Sequence, residues 1–194
     1  MRLRKHGSPN RQIVILTGER GTGKTTTCGR LLRHGRELGL DCAGVLCPAR
    51  FDGETKVGID VVDARTQERR RLAEVDELPA RLRAGPYRFD DEAVAWGVAQ
   101  LGMACPCDVL IVDEIGPLEM DRGEGWVNAV DVLRAREYRL AVAVVRPSLV
   151  EAVRMAVGDP RRAPGPRCVA PGPGAVQELL SLVLPTAGSP SHPA

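Results

Sequence analysis

An α/β fold with one mostly parallel sheet, covered by helices on both faces, is predicted by three features of this 194-residue chain. Short β-branched runs alternate with stretches of helical periodicity, as repeated βα units require. A glycine-rich loop, Gly18 to Gly23, stands between one such run and one such helix. Val109 to Val112 is apolar throughout, which suits a strand buried on both faces better than one with a solvated side.

The elements follow in order. Gln12 to Thr17 reads as a strand, Lys24 to Leu38 as a helix and Cys42 to Cys47 as a strand. Thr55 to Ala64 and Glu68 to Ala73 flank Arg65-Thr66-Gln67 and predict an antiparallel hairpin at the sheet edge. Asp90 to Met103 reads as a helix, Asp108 to Asp113 as a strand, and Gly125 to Arg136 as a helix. Arg139 to Val145 and Arg167 to Val169 read as strands, with helices at Pro147 to Val157 and Ala175 to Leu182. The Pro/Gly-rich stretch Gly158 to Gly174 is a surface excursion and not a domain linker, because strand and helix signals resume after it. Residues 1–11, which are basic, and 185–194 read as flexible tails, leaving 12–184 as a single domain.

Composition excludes several classes. With 27 Lys+Arg against 25 Asp+Glu, no net field draws in nucleic acid or an anionic membrane. Two each of Trp, Tyr and Phe, not interleaved with cations, make no single-strand stacking platform. The longest apolar runs, such as Leu140 to Val145, are strand-sized, so no membrane-spanning helix is expected. Ile13 to Leu16 is too short for a signal-peptide core, which predicts a cytoplasmic location and reduced cysteines. The only lysines are Lys5, Lys24 and Lys56, so a Lys at a diagnostic position is informative.

Lys24 is at such a position. Gly18-Glu19-Arg20-Gly21-Thr22-Gly23-Lys24-Thr25 fits G-x-x-x-x-G-K-[ST] and lies after a strand and before a helix. Glycines let successive backbone N–H groups curl around phosphates, and the helix N-terminus adds its positive dipole end. Lys24 would reach the β and γ oxygens and the Thr25 hydroxyl would ligate Mg²⁺, with Thr26 completing the binding segment. Val109-Leu110-Ile111-Val112-Asp113-Glu114 then brings two carboxylates out at the C-terminal end of a central strand, the edge that also carries the glycine loop. Asp113 would hold Mg²⁺ through its water shell, and Glu114 would orient and deprotonate an attacking water. The adjacent Glu favours hydrolysis over transfer, since a kinase must keep water out.

The run Asp113-Glu114-Ile115-Gly116-Pro117-Leu118-Glu119-Met120 resembles a signature of the thermophilic or cancer-related nucleoside-triphosphatases. Similarity extends through Gly58-Ile59-Asp60-Val61-Val62-Asp63, Glu68-Arg69 with Leu72-Ala73, and Tyr87-Arg88-Phe89-Asp90. Together with the glycine loop it covers about residues 12 to 157. The resemblance implies a three-layer, RecA-like P-loop NTPase fold that hydrolyses several nucleoside triphosphates with Mg²⁺. The chain departs from the family pattern at Leu46, where an aromatic is common, and at Pro48-Ala49, where Glu-Val precedes the retained Arg50. Pro86 also stands where an Arg is common, so base preference is not inherited.

Other residues keep two readings. Arg146 follows the strand Arg139 to Val145, and could stabilise charge on the transferred phosphoryl group or be a solvated loop cation. Arg50, Arg88 and Arg20 are weaker candidates for phosphate or base contacts. Glu119 and Asp121 could join a network near Glu114, with capping ahead of the Gly125 helix the simpler reading. Trp96 and Trp126 fit packing better than base stacking. His6, His34 and His192 support no triad. Cys42, Cys105 and Cys107, with Cys47, could gather as a zinc site or a disulfide, although the spacing matches no standard finger. Arg69-Arg70-Arg71 fits a solvated hairpin edge.

The expectation is therefore a Mg²⁺-dependent nucleoside triphosphatase acting on ATP or GTP, with Glu114, Lys24 and Arg146 catalytic. A nucleotide or small-molecule kinase with an acceptor over residues 44–90 is the alternative, and a nucleotide-gated binding module a third.

Overall fold

The computed structural model describes residues 11–76, 80–158 and 165–184. Both tails, apart from Arg11, and part of the Pro/Gly-rich excursion lie outside the described residues.

The first half of the sheet follows from the apolar runs. Strand β1 (Gln12–Thr17) leads into helix α1 (Lys24–Glu37) and then β2 (Cys42–Leu46). After an antiparallel section come α2 (Asp91–Gly102), β8 (Cys107–Ile115), α3 (Pro117–Met120), α4 (Ala129–Ala135) and β9 (Tyr138–Val145). A 3-10 turn (Pro147–Leu149), α5 (Val150–Val157), β10 (Arg167–Val169) and α6 (Ala175–Val183) complete the chain. Strands β10, β1, β9, β8 and β2 lie side by side in that order and run parallel. Residues 109–112 and 140–145 are apolar on both faces because both are covered. Val14, Leu16, Val109, Ile111, Val142 and Val144 pack toward α1 and α6. Ile13, Ile15, Leu110, Val112, Ala141 and Ala143 pack with buried residues of α2, α4 and α5. Each of the Val, Leu and Ile side chains contributes about 1.5–3 kcal/mol on burial.

The antiparallel section is larger than the single hairpin expected. Strands β3 (Ala49–Asp52), β4 (Thr55–Asp63), β5 (Arg69–Val75), β6 (Arg83–Ala84) and β7 (Tyr87–Phe89) continue the sheet beyond β2 as a wing, giving 10 strands among the described residues. The predicted hairpin is β4 and β5, antiparallel and joined through Arg65-Thr66-Gln67. Strand β4 is antiparallel to β2 and pairs with it only at Val62 and Asp63, so its first half and β3 project past the C-terminal ends of the parallel strands.

Close backbone approach fixes β2 against β8. Gly44 has φ +103°, and a Cβ there would meet the Ile111 carbonyl oxygen at 2.0 Å. The helix expected over Gly125 to Arg136 begins only at Ala129. Gly125 is left-handed and Trp126 turns into the core instead, where its ring lies against the space a Cβ on Gly97 would fill.

Candidate active site

The glycine loop is shaped by its backbone. Gly21 (φ +77°) and Gly23 (φ +89°) are left-handed, and a Cβ on either would meet nothing, so conformation rather than space requires glycine there. The first helical bond of α1 runs from Thr27 N–H to the Gly23 carbonyl at 2.8 Å. The N–H groups of Lys24, Thr25 and Thr26 precede it without intrahelical partners, and no acidic residue offsets the dipole in that turn. Lys24 is buried, and its Nζ donates to the carbonyls of Gly18 (2.6 Å) and Glu19 (2.8 Å). The Thr22 hydroxyl also donates to the Glu19 carbonyl at 2.8 Å. Glu19, Arg20, Gly21, Thr22 and Thr26 are exposed around this core.

The acidic pair sits at the end of β8 on a bulge. Val112 pairs with Ala143 and Ile115 with Val145, so β8 spends one more residue than β9 across Asp113 and Glu114. That extra residue breaks the strict alternation of faces. Asp113 is 1% exposed and accepts the Cys47 N–H at 3.0 Å and the Thr25 hydroxyl. Its carboxyl is pushed up to about 7, chiefly by burial, against the lowering effect of those two hydrogen bonds and of Lys24. Glu114 is half-buried, and its Oε1 accepts from Arg146 Nε at 2.6 Å. Strand β9 lies between β1 and β8, so Arg146, directly after β9, emerges between the glycine loop and the acidic pair.

These residues fit a hard divalent cation. Asp113 is a deeply buried acid whose oxygen touches the Thr25 hydroxyl, while the nearby ammonium of Lys24 is committed to two loop carbonyls. Oxygen donors side by side, at a buried carboxylate with no ion-pair partner among the described residues, are the chemistry Mg²⁺ requires.

A supporting loop follows the pair. Glu119 Oε2 accepts the Gly116 N–H at 2.8 Å, capping α3, and Oε1 accepts the Trp126 N–H at 3.0 Å. Burial and the Glu114 charge raise its carboxyl above the usual range against these N–H groups. Trp126 Nε1 donates to the Asp113 carbonyl at 3.3 Å. Glu119 therefore caps α3 rather than a helix at Gly125. The signal was legible: Gly-Pro-x-Glu has Pro at the first helical position and Glu three residues after the cap. Nothing in the sequence marked the Trp126 or Cys47 contacts with Asp113.

The remaining candidates lie apart from this centre. Arg50 Nη2 pairs with Glu74 Oε1 (3.0 Å) and Arg88 Nε with Asp76 Oδ2 (2.9 Å), both on the wing. A cavity of about 220 Å³ there is lined by Arg71, Ala73, Glu74, Arg88 and Asp90, none of them from the loop or the acidic pair. The Arg69-Arg70-Arg71 cluster is more engaged than a solvated edge: Arg69 pairs with Asp60, and the Arg70 guanidinium lies 4.6 Å from the Trp96 ring centre. Cys47 lies just beyond the end of β2 opposite Cys42, so the four cysteines do not gather. No group of three metal-capable side chains occurs among the described residues.

The NTPase family model matches residues 13–157, from β1 through α5. The chain belongs to that family. The nucleoside-triphosphatase THEP1 of Methanothermobacter thermautotrophicus is 30% identical over 158 residues, covering 77% of this chain and 88% of that protein. THEP1 of Ignicoccus hospitalis is 37% identical over 108 residues, covering 55% of this chain and 60% of that protein. A human cancer-related nucleoside triphosphatase shares the fold with a TM-score of 0.62 at 22% identity, covering 89% of this chain and 95% of that one. The family match spans the glycine loop, the acidic pair and Arg146 together.

Proposed function

We propose that this chain hydrolyses nucleoside 5′-triphosphates, ATP and GTP among them, to diphosphate and phosphate with Mg²⁺. One observation carries the reading: Lys24, the Thr25–Asp113 contact and the Glu114–Arg146 pair all sit at one edge of the parallel sheet, around the start of α1. The N–H groups at the start of α1 and the Lys24 ammonium bind the β- and γ-phosphates, Lys24 giving up its two loop carbonyls to do so. Thr25 and Asp113 would hold Mg²⁺, which would supply positive charge to neutralise the phosphate oxygens. Glu114 accepts a proton from water as the water oxygen bonds to the γ-phosphorus, and the bond to the β-phosphate oxygen breaks, leaving the diphosphate. Arg146, already held against Glu114, lies where it can turn toward charge developing on the γ-phosphoryl oxygens. A cytoplasmic setting is part of the proposal, supported by six free cysteines. No helix among the described residues is long and apolar enough to cross a membrane.

The wing cavity favours a second reading, transfer to an acceptor seated over β5 and β7. A panel of triphosphates with Mg²⁺, each with and without a nucleoside monophosphate, separates the two. Phosphate release without acceptor supports hydrolysis, whereas turnover only with acceptor, yielding a second diphosphate, assigns a kinase. Glu114→Gln removes release while nucleotide still binds; undiminished turnover in that variant rules Glu114 out as the base.

A further inference from the structure

The backbone that carries the two carboxylates of the site is held by a side chain far along the chain. Strand β8 pairs with β2 only as far as Val112, and its register with β9 passes from Val112 to Ile115 across the bulge. Neither Asp113 nor Glu114 forms a register pair with a neighbouring strand, so the peptide joining them lies outside the regular ladders. A buried carbonyl in such a place needs a donor from elsewhere. Trp126 supplies it: its Nε1 donates to the Asp113 carbonyl at 3.3 Å in a buried bond.

Trp126 is itself fixed. Its backbone N–H donates to Glu119 Oε1 at 3.0 Å, and its carbonyl accepts the Ala129 N–H at 2.9 Å, where α4 begins. Its ring lies against Gly97 of α2, where a Cβ would come within 2.4 Å of it, so the missing side chain makes room for the indole. The other oxygen of Glu119 takes the Gly116 N–H at 2.8 Å. A closed circuit results, running from the Asp113 carbonyl through Trp126 to Glu119 and back to Gly116. Glu114 lies inside it, with the peptide before it held by Trp126 and the N–H of Gly116 held by Glu119. Gly116 is close to the reacting end as well: a Cβ on it would stand 3.7 Å from both Glu114 Oε1 and Arg146 Nε.

We propose, on the hydrolytic reading above, that Trp126 is a positioning residue whose indole N–H fixes the Asp113–Glu114 peptide, so that the cation-binding carboxylate and the base keep one spacing. It acts through those two residues and not on the substrate. Packing asks for the aromatic ring and not for its N–H, so the two roles come apart when the N–H is deleted and the ring is kept. Catalysis is sensitive at this scale, since a misplacement of about 1 Å costs about 10²-fold in rate.

The test places β-(3-benzothienyl)alanine, which replaces the indole N–H by sulfur at nearly the same volume, at position 126 of a Trp96→Phe chain. Trp126→Phe in the same chain is the second variant. Phosphate release from Mg²⁺-ATP is followed at a temperature where circular dichroism shows every chain folded. Both variants should lose about tenfold or more in kcat with KM changed by less than about twofold, because an interaction that only places the base is expressed in the chemical step. Parental kcat in the benzothienyl chain overturns the proposal even where Trp126→Phe is impaired, since the ring alone then suffices. A loss carried by KM overturns it too, making Trp126 a determinant of nucleotide binding. If the unsubstituted chain releases no phosphate without an acceptor, the hydrolytic reading fails and takes this inference with it; an active chain indifferent to the N–H at position 126 removes the inference alone.

Discussion

Glu119 offers a stringent test of how the site is held, because one side chain closes two backbone groups. Its oxygens accept the N–H groups of Gly116 and Trp126 in partly buried bonds of 2.8 and 3.0 Å. A buried donor left without a partner costs about 1–3 kcal/mol. Glu119→Ala strands both, so it should destabilise the fold by about 2–4 kcal/mol, toward the low end because the bonds are only partly buried. Glu119→Gln keeps one acceptor and should cost about 1–2 kcal/mol. Trp126 is almost fully buried and bonded to this carboxylate, so its fluorescence in urea titrations reports the loop directly. The pH dependence has a definite sign. Folding raises the Glu119 carboxyl, mainly through burial, so the folded state holds that proton more tightly than the unfolded one. The contribution is complete below the ordinary glutamate range and is lost as pH rises through the elevated value. The stability gap between parent and Glu119→Gln should therefore narrow as pH rises through that window. Glu119→Ala unfolding within about 0.5 kcal/mol of the parent, with unchanged Trp emission, would refute the argument.

Arg146→Ala should lower kcat about 10²–10³-fold with little change in nucleotide affinity, as loss of one transition-state donor does; stopped-time phosphate release and equilibrium binding check it, and a loss confined to affinity makes Arg146 a ground-state contact. Gly44→Ala should yield no folded protein, because its Cβ would overlap the Ile111 carbonyl oxygen in the middle of the sheet; circular dichroism of the purified chain decides. Two helical glycines should part ways in thermal unfolding. Gly97→Ala drives a Cβ to 2.4 Å from the Trp126 ring and should cost about 1–3 kcal/mol. Gly29→Ala meets only Leu46 at 3.7 Å and should gain about 0.5–1 kcal/mol.

The contrast between what could and could not be read from the sequence has physical causes. Strands β1 and β10 match their expected bounds and α1, β2, β9 and α6 nearly do, because their apolar residues face a core on fixed periods and the glycine loop marks one junction. Strand β3 escaped notice because only one of its four residues is even partly buried, leaving no alternation to read. Its turn into β4, Gly53-Glu54, nevertheless carried the glycine-first hairpin signal, as Gly85-Pro86 did in marking the tight turn between β6 and β7. The helix expected from Gly125 began late because tertiary contacts outweighed propensity: Trp126 gains core burial and two hydrogen bonds by leaving helical register.

The Glu114–Arg146 pair shows the limit most clearly. Placing Arg146 at the phosphate-facing edge required only strand direction, which alternation supplies. Pairing it with Glu114 required knowing that β8 and β9 are neighbours and that β8 carries an extra residue at the acidic pair. Neither fact leaves a trace in the local sequence. The consequence reaches the chemistry: one oxygen of Glu114 is engaged by the Arg146 Nε at 2.6 Å and is free for a water only when that guanidinium moves. If Arg146 turns toward the γ-phosphoryl group when nucleotide binds, the same motion frees Glu114, so one side chain couples substrate binding to activation of the base. Arg146→Lys separates the two roles. It keeps the charge but loses the directional Nε bond to Glu114, so its kcat should fall less than that of Arg146→Ala. Equal kcat losses in the lysine and alanine variants would leave the coupling without support.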